Sequence, residues 1–303
     1  MALYLNTNLS SLTALRAVQS ASDSLDLSYE RLSTGLRINS ASDDPAGMQI
    51  SNKLTSQLDS LDESNRVAQN AISYAQTAEG AMEEITEMLE RIRTLAIESA
   101  NGTMTDSDRD SLQQEVDQLN EEICRIAAKT TFGGQNLLDG SASVARFQIS
   151  PEPNSVIEID LRISYDTDGL AKLAAQYSGS YIGTTGYTYT QIFSYQVNGG
   201  GIDISSASNA EVVLAGIDGL INAIDQKRAE LGAIQNRLES TIDNQTNIAE
   251  NVTTARARIR DTDFAEEATN MTAQEILEEA SVAILTQANT RPQIALQMLE
   301  NSL

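Results

Sequence analysis

The chain has 303 residues and a formal net charge of -23, with 43 Asp and Glu against 20 Lys and Arg. That balance repels phosphate backbones and anionic lipid headgroups, which argues against nucleic-acid and peripheral membrane binding. With no His, the commonest general base and the commonest metal ligand are both missing, so Ser-His-Asp triads, Cys-His dyads and His-based zinc sites drop out together, and a single Cys excludes an intrachain disulfide.

The start, Met1-Ala-Leu-Tyr-Leu-Asn-Thr-Asn, has no basic region and no continuous apolar run, so neither a cleaved secretory signal nor a membrane span is expected. Leu5, Leu9, Leu12, Val18, Leu25, Tyr29 and Leu32 then fall near one face of an amphipathic helix. From Ala68 the apolar positions Ala68, Ala71, Ala75, Ala78, Met82, Ile85, Leu89, Ile92 and Ala96 alternate steps of three and four, the seam of a coiled coil. Asn101-Gly102 ends that helix, and Thr105 to Asp108 opens the next with a capping-box pattern and acids in its first turn. Leu112, Val116, Leu119, Ile123 and Ile126 continue the rhythm, predicting two antiparallel helices joined by a short loop. Cys124 lies within this amphipathic run and reads as a packed thiol, since nothing nearby in sequence would depress its pKa.

Residues 141–205 read differently. Val144 to Ile149 and Val156 to Leu161 alternate around Pro151-Glu-Pro-Asn154, which predicts two strands, while Tyr177 to Gly201 is rich in Tyr, Thr, Ser and Gly and reads as short strands and loops. This is expected to be the sole β-like region. From Ile217 the heptad returns through Leu220, Ile224, Leu231, Ile234, Leu238, Ile248, Val252, Ala255 and Ile259, with Lys227, Thr241 and Gln245 as polar seam positions able to fix register. A helix over 207–259 would run to roughly 75 Å, longer than a globular domain of this size needs for its own core. The last segment offers Ile276, Leu277, Ala280, Ile284, Ala288, Ala295 and Met298, amphipathic again.

The fold expected is mainly α, a long antiparallel coiled coil or helical bundle formed by the N- and C-terminal segments, with a β-hairpin and a small β/loop outer insert. Neither terminal segment can cover its apolar face alone, so they must pair with each other or with neighbouring copies. Copies joined by a rotation that does not close give an open helical filament. The terminal segments of a lone chain would bury too little to offset ordering entropy, so assembly is expected to be coupled to their folding.

Sharper chemical readings are weaker than these. Asp106, Asp108, Asp110 and Asp117 match positions 1, 3, 5 and 12 of a calcium loop, but Ser111 stands where the sharp turn needs Gly and the last ligand is Asp, so helix capping accounts for them better. Gly133-Gly134 and Gly199 to Gly201 lack the context of phosphate loops and read as turns. The carboxylates fall on solvent positions of heptads and form no catalytic pair. No catalytic residue, cofactor or metal is expected, and the chain is not read as an enzyme.

The stretches Glu30-Arg-Leu-Ser-Thr-Gly-Leu-Arg-Ile-Asn-Ser-Ala-Ser-Asp-Asp-Pro-Ala-Gly-Met-Gln-Ile-Ser51, Arg228 to Thr241 and Ala255 to Phe264 resemble, in this order, the characteristic segments of bacterial flagellin. The resemblance covers residues 1 to about 161 and about 207 to 300. It implies an inner coiled-coil domain from residues 1–43 with 259–303, a helical rod domain with its β-hairpin from 44–161 with 207–258, and a short outward-facing insert, 162–206. It implies filament-core packing through Leu5, Leu9, Leu12, Val18, Leu25, Leu32, Ile276, Leu277, Ile284 and Met298.

It also implies a self-polymerising partner for itself, export unfolded through the flagellar type III apparatus, a cytoplasmic chaperone on the C-terminal helix, and contacts with filament cap and hook-junction proteins. Host innate immune receptors would meet Arg91, Leu95 and Glu115 in animals and residues 30–51 in plants. Ser178, Ser180, Thr184 and Thr185 in the insert could carry O-linked glycans, with the unmodified reading equally open. A hook-filament junction protein and an unrelated secreted helical binding protein are the alternatives.

Overall fold

The computed structural model describes residues 7–150, 152, 154–178, 188, 192 and 201–300, with backbone only for 168, 178 and 294–300. Six long elements carry it: α1 (Leu9–Thr34), α2 (Pro45–Ser99), α3 (Asp106–Lys129), α4 (Thr167–Ser178), α5 (Ala207–Arg260) and α6 (Phe264–Glu300). Four short strands lie between α3 and α4: β1 (Thr131–Phe132), β2 (Gln135–Asn136), β3 (Ala145–Gln148) and β4 (Val156–Ile159). The chain divides into two compact units, 1–58 with 249–303 and 59–248. The expected inner segments 1–43 and 259–303 fall inside the first of these, which reaches further along the chain.

The second unit, 59–248, holds the large core. All nine positions of the α2 seam, Ala68 through Ala96, have no exposed surface, so the 3.5-residue spacing identifies the buried face of α2 position by position. α5 answers with Leu220, Ile224, Leu231 and Leu238, also fully buried. Lys227 and Gln245 are buried on the same seam as expected. Lys227 keeps its ammonium on Glu230 Oε2 at 2.8 Å, and the Gln245 amide donates to the Ile149 carbonyl. Beyond Gln245 the expected seam does not hold: Ile248 and Ala255 are exposed, Val252 and Ile259 half-buried.

α3 begins where the capping residues place it. Thr105 accepts from Asp108 N and Asp108 Oδ2 accepts from Thr105 N at 3.0 Å, the reciprocal box. Its innermost positions are Arg109, Gln113, Val116, Ile123 and Ala127, with Leu112, Leu119 and Ile126 half-buried beside them. The helix is therefore rotated slightly from the purely apolar reading, because two polar residues have buried partners. Arg109 donates to the Ser99 carbonyl (3.0 Å) and the Asn101 carbonyl (3.2 Å), closing the C-terminal end of α2. Gln113 pairs with residues 202–204, its amide donating to Ile202 O at 2.8 Å and its carbonyl accepting from Ile204 N at 2.6 Å.

Two features depart from the expected β-like insert. A first hairpin, β1 with β2, precedes it, turning at Gly133 and Gly134 with φ of 58° and 84°. Those positive angles explain the glycine pair, as both central residues of such a turn must be left-handed. Within the insert, α4 is a helix and not a strand, with Leu170, Ala171, Leu173 and Ala174 in the core. The β3–β4 pair is the expected hairpin, with Ala145 opposite Ile159 and Gln148 opposite Val156. Its alternation buries Ile157 and Ile159 while Glu158 meets Arg146 across the outer face at 3.0 Å. Both hairpins dock on Tyr74 of α2, whose ring meets Phe132 and Phe147 edge-on with centroids 5.7 and 5.5 Å apart.

Tyr165 is fully buried at the start of this last region and its hydroxyl has no hydrogen-bond partner. Burial pushes its ionisation well above the ordinary phenol value of 10.0. The neutral phenol is then the form the fold selects, so the unit keeps full stability below pH ~10 and loses it as the pH rises further and the unfolded chain ionises. Tyr165→Phe removes both the unpaired hydroxyl and this alkaline loss. The variant should unfold in denaturant at equal or higher concentration, by up to about 1 kcal/mol at pH 7, with a smaller decline between pH 9 and 11 than the parent.

Candidate assembly surface

In the first unit, the segment joining α1 to α2 is held almost entirely by its own polar groups. Gly35 ends α1 in the left-handed conformation, φ 71°, and its N–H reaches Arg31 O at 2.9 Å. Asp43 then accepts from the backbone N–H groups of Ser40 (2.8 Å) and Asn39 (3.1 Å), bonds that hold its carboxyl below the usual range. Asp44 caps α2 through Ala46 N and Gly47 N. A Cβ on Gly47 would sit 2.3 Å from Asp44 Oδ2 and 2.7 Å from Ile38 Cδ1, so glycine lets both side chains approach the helix start without shifting. Across from it, Arg37 N donates to Arg260 O at 2.6 Å and Thr262 N to Gly35 O at 3.1 Å, tying the α1–α2 connection to the α5–α6 connection. These are the residues of the Glu30–Ser51 and Ala255–Phe264 stretches, and the geometry gives each a local reason.

α1 and α6 pair antiparallel along a heptad seam. On α1 the buried and half-buried positions at heptad spacing are Ser11, Ala14, Val18, Ala21, Leu25, Ser28 and Leu32, and on α6 they are Glu267, Met271, Gln274, Glu278, Ser281, Leu285 and Ala288. Small and polar residues dominate this seam. Among its hydrophobic residues only Ala14, Ala21 and Ala288 are fully enclosed. Ser28 donates to Glu267 Oε1 at 2.6 Å and Arg31 lies 3.5 Å from the other oxygen of that carboxylate, so the buried charge has partners. Near the edge, Tyr29 donates to Glu275 at 3.2 Å, and the carboxylate raises the phenol above its ordinary value.

The far end is fixed by a proline. Pro292 lies inside α6 and has no N–H for the carbonyl four residues back, Ala288 O. That carbonyl accepts instead from Asn8 Nδ2 at 2.7 Å, while Asn8 Oδ1 accepts from Ser11 N and caps α1. One side chain thus caps one helix and repairs the other. Asn8→Ala should destabilise this end by about 2 kcal/mol, the sum of a lost cap and an unpaired carbonyl, read as earlier hydrogen exchange at the N-terminal turn of α1 in assembled material.

Many of the large apolar side chains lie off the seam. Leu9 is 73% exposed, Leu12 50%, Leu15 51%, Ile276 62%, Leu277 53% and Ile284 60%. Of the twelve exposed large hydrophobics in the described residues, ten belong to this unit, against Ile97 and Ile248 in the other. Val18, Leu25 and Leu32 of the expected packing set are on the seam. Leu9, Leu12, Ile276, Leu277 and Ile284 face solvent, Leu5 is outside the described residues, and for Met298 only backbone is described. Such an excess of outward apolar surface on one region marks a binding surface and not a finished core.

The remaining expected sites are dispersed. Arg91 and Glu115 form an exposed ion pair at 2.6 Å between α2 and α3, and Leu95 beside them is 1% exposed, part of the core. Ser178 closes α4 with only its backbone described, and Ser180, Thr184 and Thr185 lie outside the described residues. Among the described residues there is no cluster of acids or Cys able to hold a metal, and no helix is long and apolar enough to cross a membrane.

Paired terminal helices that leave many large apolar side chains outside their own seam define a helical protein with an open apolar face. Comparison with known proteins gives the same class. Residues 5–143 match the bacterial flagellin N-terminal helical region and residues 214–299 the bacterial flagellin C-terminal helical region. Flagellin B of Vibrio cholerae is 36% identical over 375 residues, covering 99% of this chain and all of the relative, and polar flagellin F of Vibrio parahaemolyticus is 36% identical over 377 residues with the same coverage. The chain belongs to the bacterial flagellin family. In fold it is similar to the structure of a putative flagellar hook-associated protein from Vibrio parahaemolyticus, with a TM-score of 0.57 at 15% identity over 72% of this chain and 100% of that one.

Proposed function

We propose that the chain is the structural subunit of a bacterial flagellar filament, and that the outward apolar face of α1 and α6 is the surface through which copies pack at the filament core. The observation that carries this reading is the composition of the α1–α6 pair, in which the fully buried seam residues are Ala14, Ala21, Ser28, Glu267 and Ala288 while Leu9, Leu12, Ile276 and Ile284 are exposed. A helix pair intended to stand alone would place the large residues inside. Buried against neighbouring copies, each such side chain contributes roughly 1.5–3 kcal/mol, which offsets the ordering of two helices that hold little core of their own.

On this reading the inner domain, 1–43 with 259–303, lines the filament core, the rod domain, 44–161 with 207–258, surrounds it, and the insert 162–206 faces outward. The product is extracellular and serves swimming motility, and the polypeptide leaves the cell unfolded through the flagellar export apparatus with a chaperone on α6. Cap and hook-junction proteins are its further partners. Receptors of infected hosts would reach Arg91 and Glu115 on the surface of the rod domain, with Leu95 supporting them from below. These finer roles rest on family membership.

Seeded assembly followed by negative-stain microscopy tests the proposal. Long filaments growing from seeds are expected. Short stacks would favour a hook-filament junction protein, and the absence of any polymer under conditions where the chain is folded would refute the reading.

A further inference from the structure

Asn101 and Gly102 form the turn between α2 and α3, and both are exposed. Asn101 Oδ1 accepts from Thr103 N at 3.3 Å, closing an Asx turn that spans the Asn101–Gly102 peptide. A Cβ on Gly102 would meet nothing within 4 Å, so no neighbouring group crowds the position. Backbone hydrogen bonds of the turn run from Asn101 N to Glu98 O and from Met104 N to Asn101 O, leaving the Gly102 N–H outside the ladder.

We infer that Asn101 is a site of spontaneous deamidation in the folded protein. The Gly102 nitrogen attacks Asn101 Cγ, forming a C–N bond and closing a five-membered succinimide. The side-chain nitrogen departs as ammonia, carrying the proton released from Gly102 N. Water then opens the ring at Cγ, giving Asp, or at the backbone carbonyl, giving isoaspartate with the main chain routed through Cβ. No enzyme or cofactor is required. Glycine makes the step accessible because it has no side chain to hinder ring closure or restrict the backbone.

The product falls where the turn has structural work to do. The Asn101 carbonyl holds the Arg109 guanidinium at 3.2 Å, and Arg109 also closes the end of α2 through Ser99 O. Asp adds a carboxylate beside that cation. Isoaspartate lengthens the backbone by one carbon and displaces the carbonyl from it. A long-lived, unreplaced chain would therefore acquire charge and backbone heterogeneity at this turn.

The test is incubation of the full folded chain at 37 °C and mildly alkaline pH, with peptide mapping by mass spectrometry and enzymatic detection of isoaspartate. Aspartate and isoaspartate are expected to accumulate at Asn101 at least about tenfold faster than at Asn222 or Asn236 inside α5, and Gly102→Ala should slow the reaction by a similar factor. If Asn101 stays intact in the folded chain while the urea-unfolded chain deamidates there, the turn protects the residue and the inference fails. Equal rates at Asn101 in the parent and in Gly102→Ala would overturn it as well.

Discussion

Replacing Leu12, Ile276 and Ile284 together with Asp should abolish filament growth while leaving the free chain folded. The three side chains are 50%, 62% and 60% exposed in the isolated molecule, so their loss costs the monomer little, within about 0.5 kcal/mol for each site. In the polymer each carboxylate would be forced into an apolar helix contact at a cost of roughly 2 kcal/mol or more. Together they should raise the critical concentration by more than about a thousandfold, measured by sedimentation after seeding. Filaments of normal yield from the triple variant would remove this face from the assembly interface. A variant with altered circular dichroism before assembly would show instead that the face supports the single chain.

Leu89→Ala is the counterpart within the second unit. Leu89 has no exposed surface and sits at the middle of the α2 seam among Ile85, Ile92 and the α5 leucines. Truncation should cost about 3 kcal/mol and shift the denaturant midpoint of that unit accordingly, whereas Leu89→Met, which conserves volume, should cost under about 1.5 kcal/mol. The same Leu→Ala change at Leu9, 73% exposed, should leave the free chain within about 0.5 kcal/mol of the parent. Equal destabilisation at positions 89 and 9 would mean that α1 is packed in the monomer as tightly as α2.

The contrast between those two leucines also explains what could be read from the amino-acid order. In α2 the apolar spacing and the buried face coincide at every seam position from Ala68 to Ala96, because one chain supplies both sides of the contact. In α1 and α6 only part of the apolar stripe marks the intrachain contact, with Val18, Leu25 and Leu32 on the seam beside Ala, Ser, Gln and Glu, and Leu9, Leu12, Ile276 and Ile284 outside it. A sequence that must satisfy two interfaces mixes their signals. The capping box at Thr105 and the hairpin at Val156 were legible because their causes are local. Gln113 was not, as its partners at Ile202 and Ile204 lie some ninety residues away.

Other departures have local causes that could have been weighed. Gly133-Gly134 behind Thr131-Phe132 signals a tight hairpin, but strands of two residues give no alternation to detect. α4 has Leu170, Leu173, Ala174 and Tyr177 at helical spacing, masked by the Gly- and Thr-rich composition on either side. The Asn8 contact to Ala288 follows from Pro292 only once α1 and α6 are known to run antiparallel. Its position could not be deduced from either helix separately.

Hydrogen exchange measured on the same preparation before and after assembly bears most directly on how the terminal helices are stabilised. Amides of Leu9–Thr34 and Phe264–Glu300 should exchange quickly in the dilute chain and become protected by at least about a hundredfold in the filament, while those of 68–96 are protected in both. Equal and strong protection of the terminal helices in dilute, unassembled protein would contradict the view that their apolar faces find burial only among neighbouring copies.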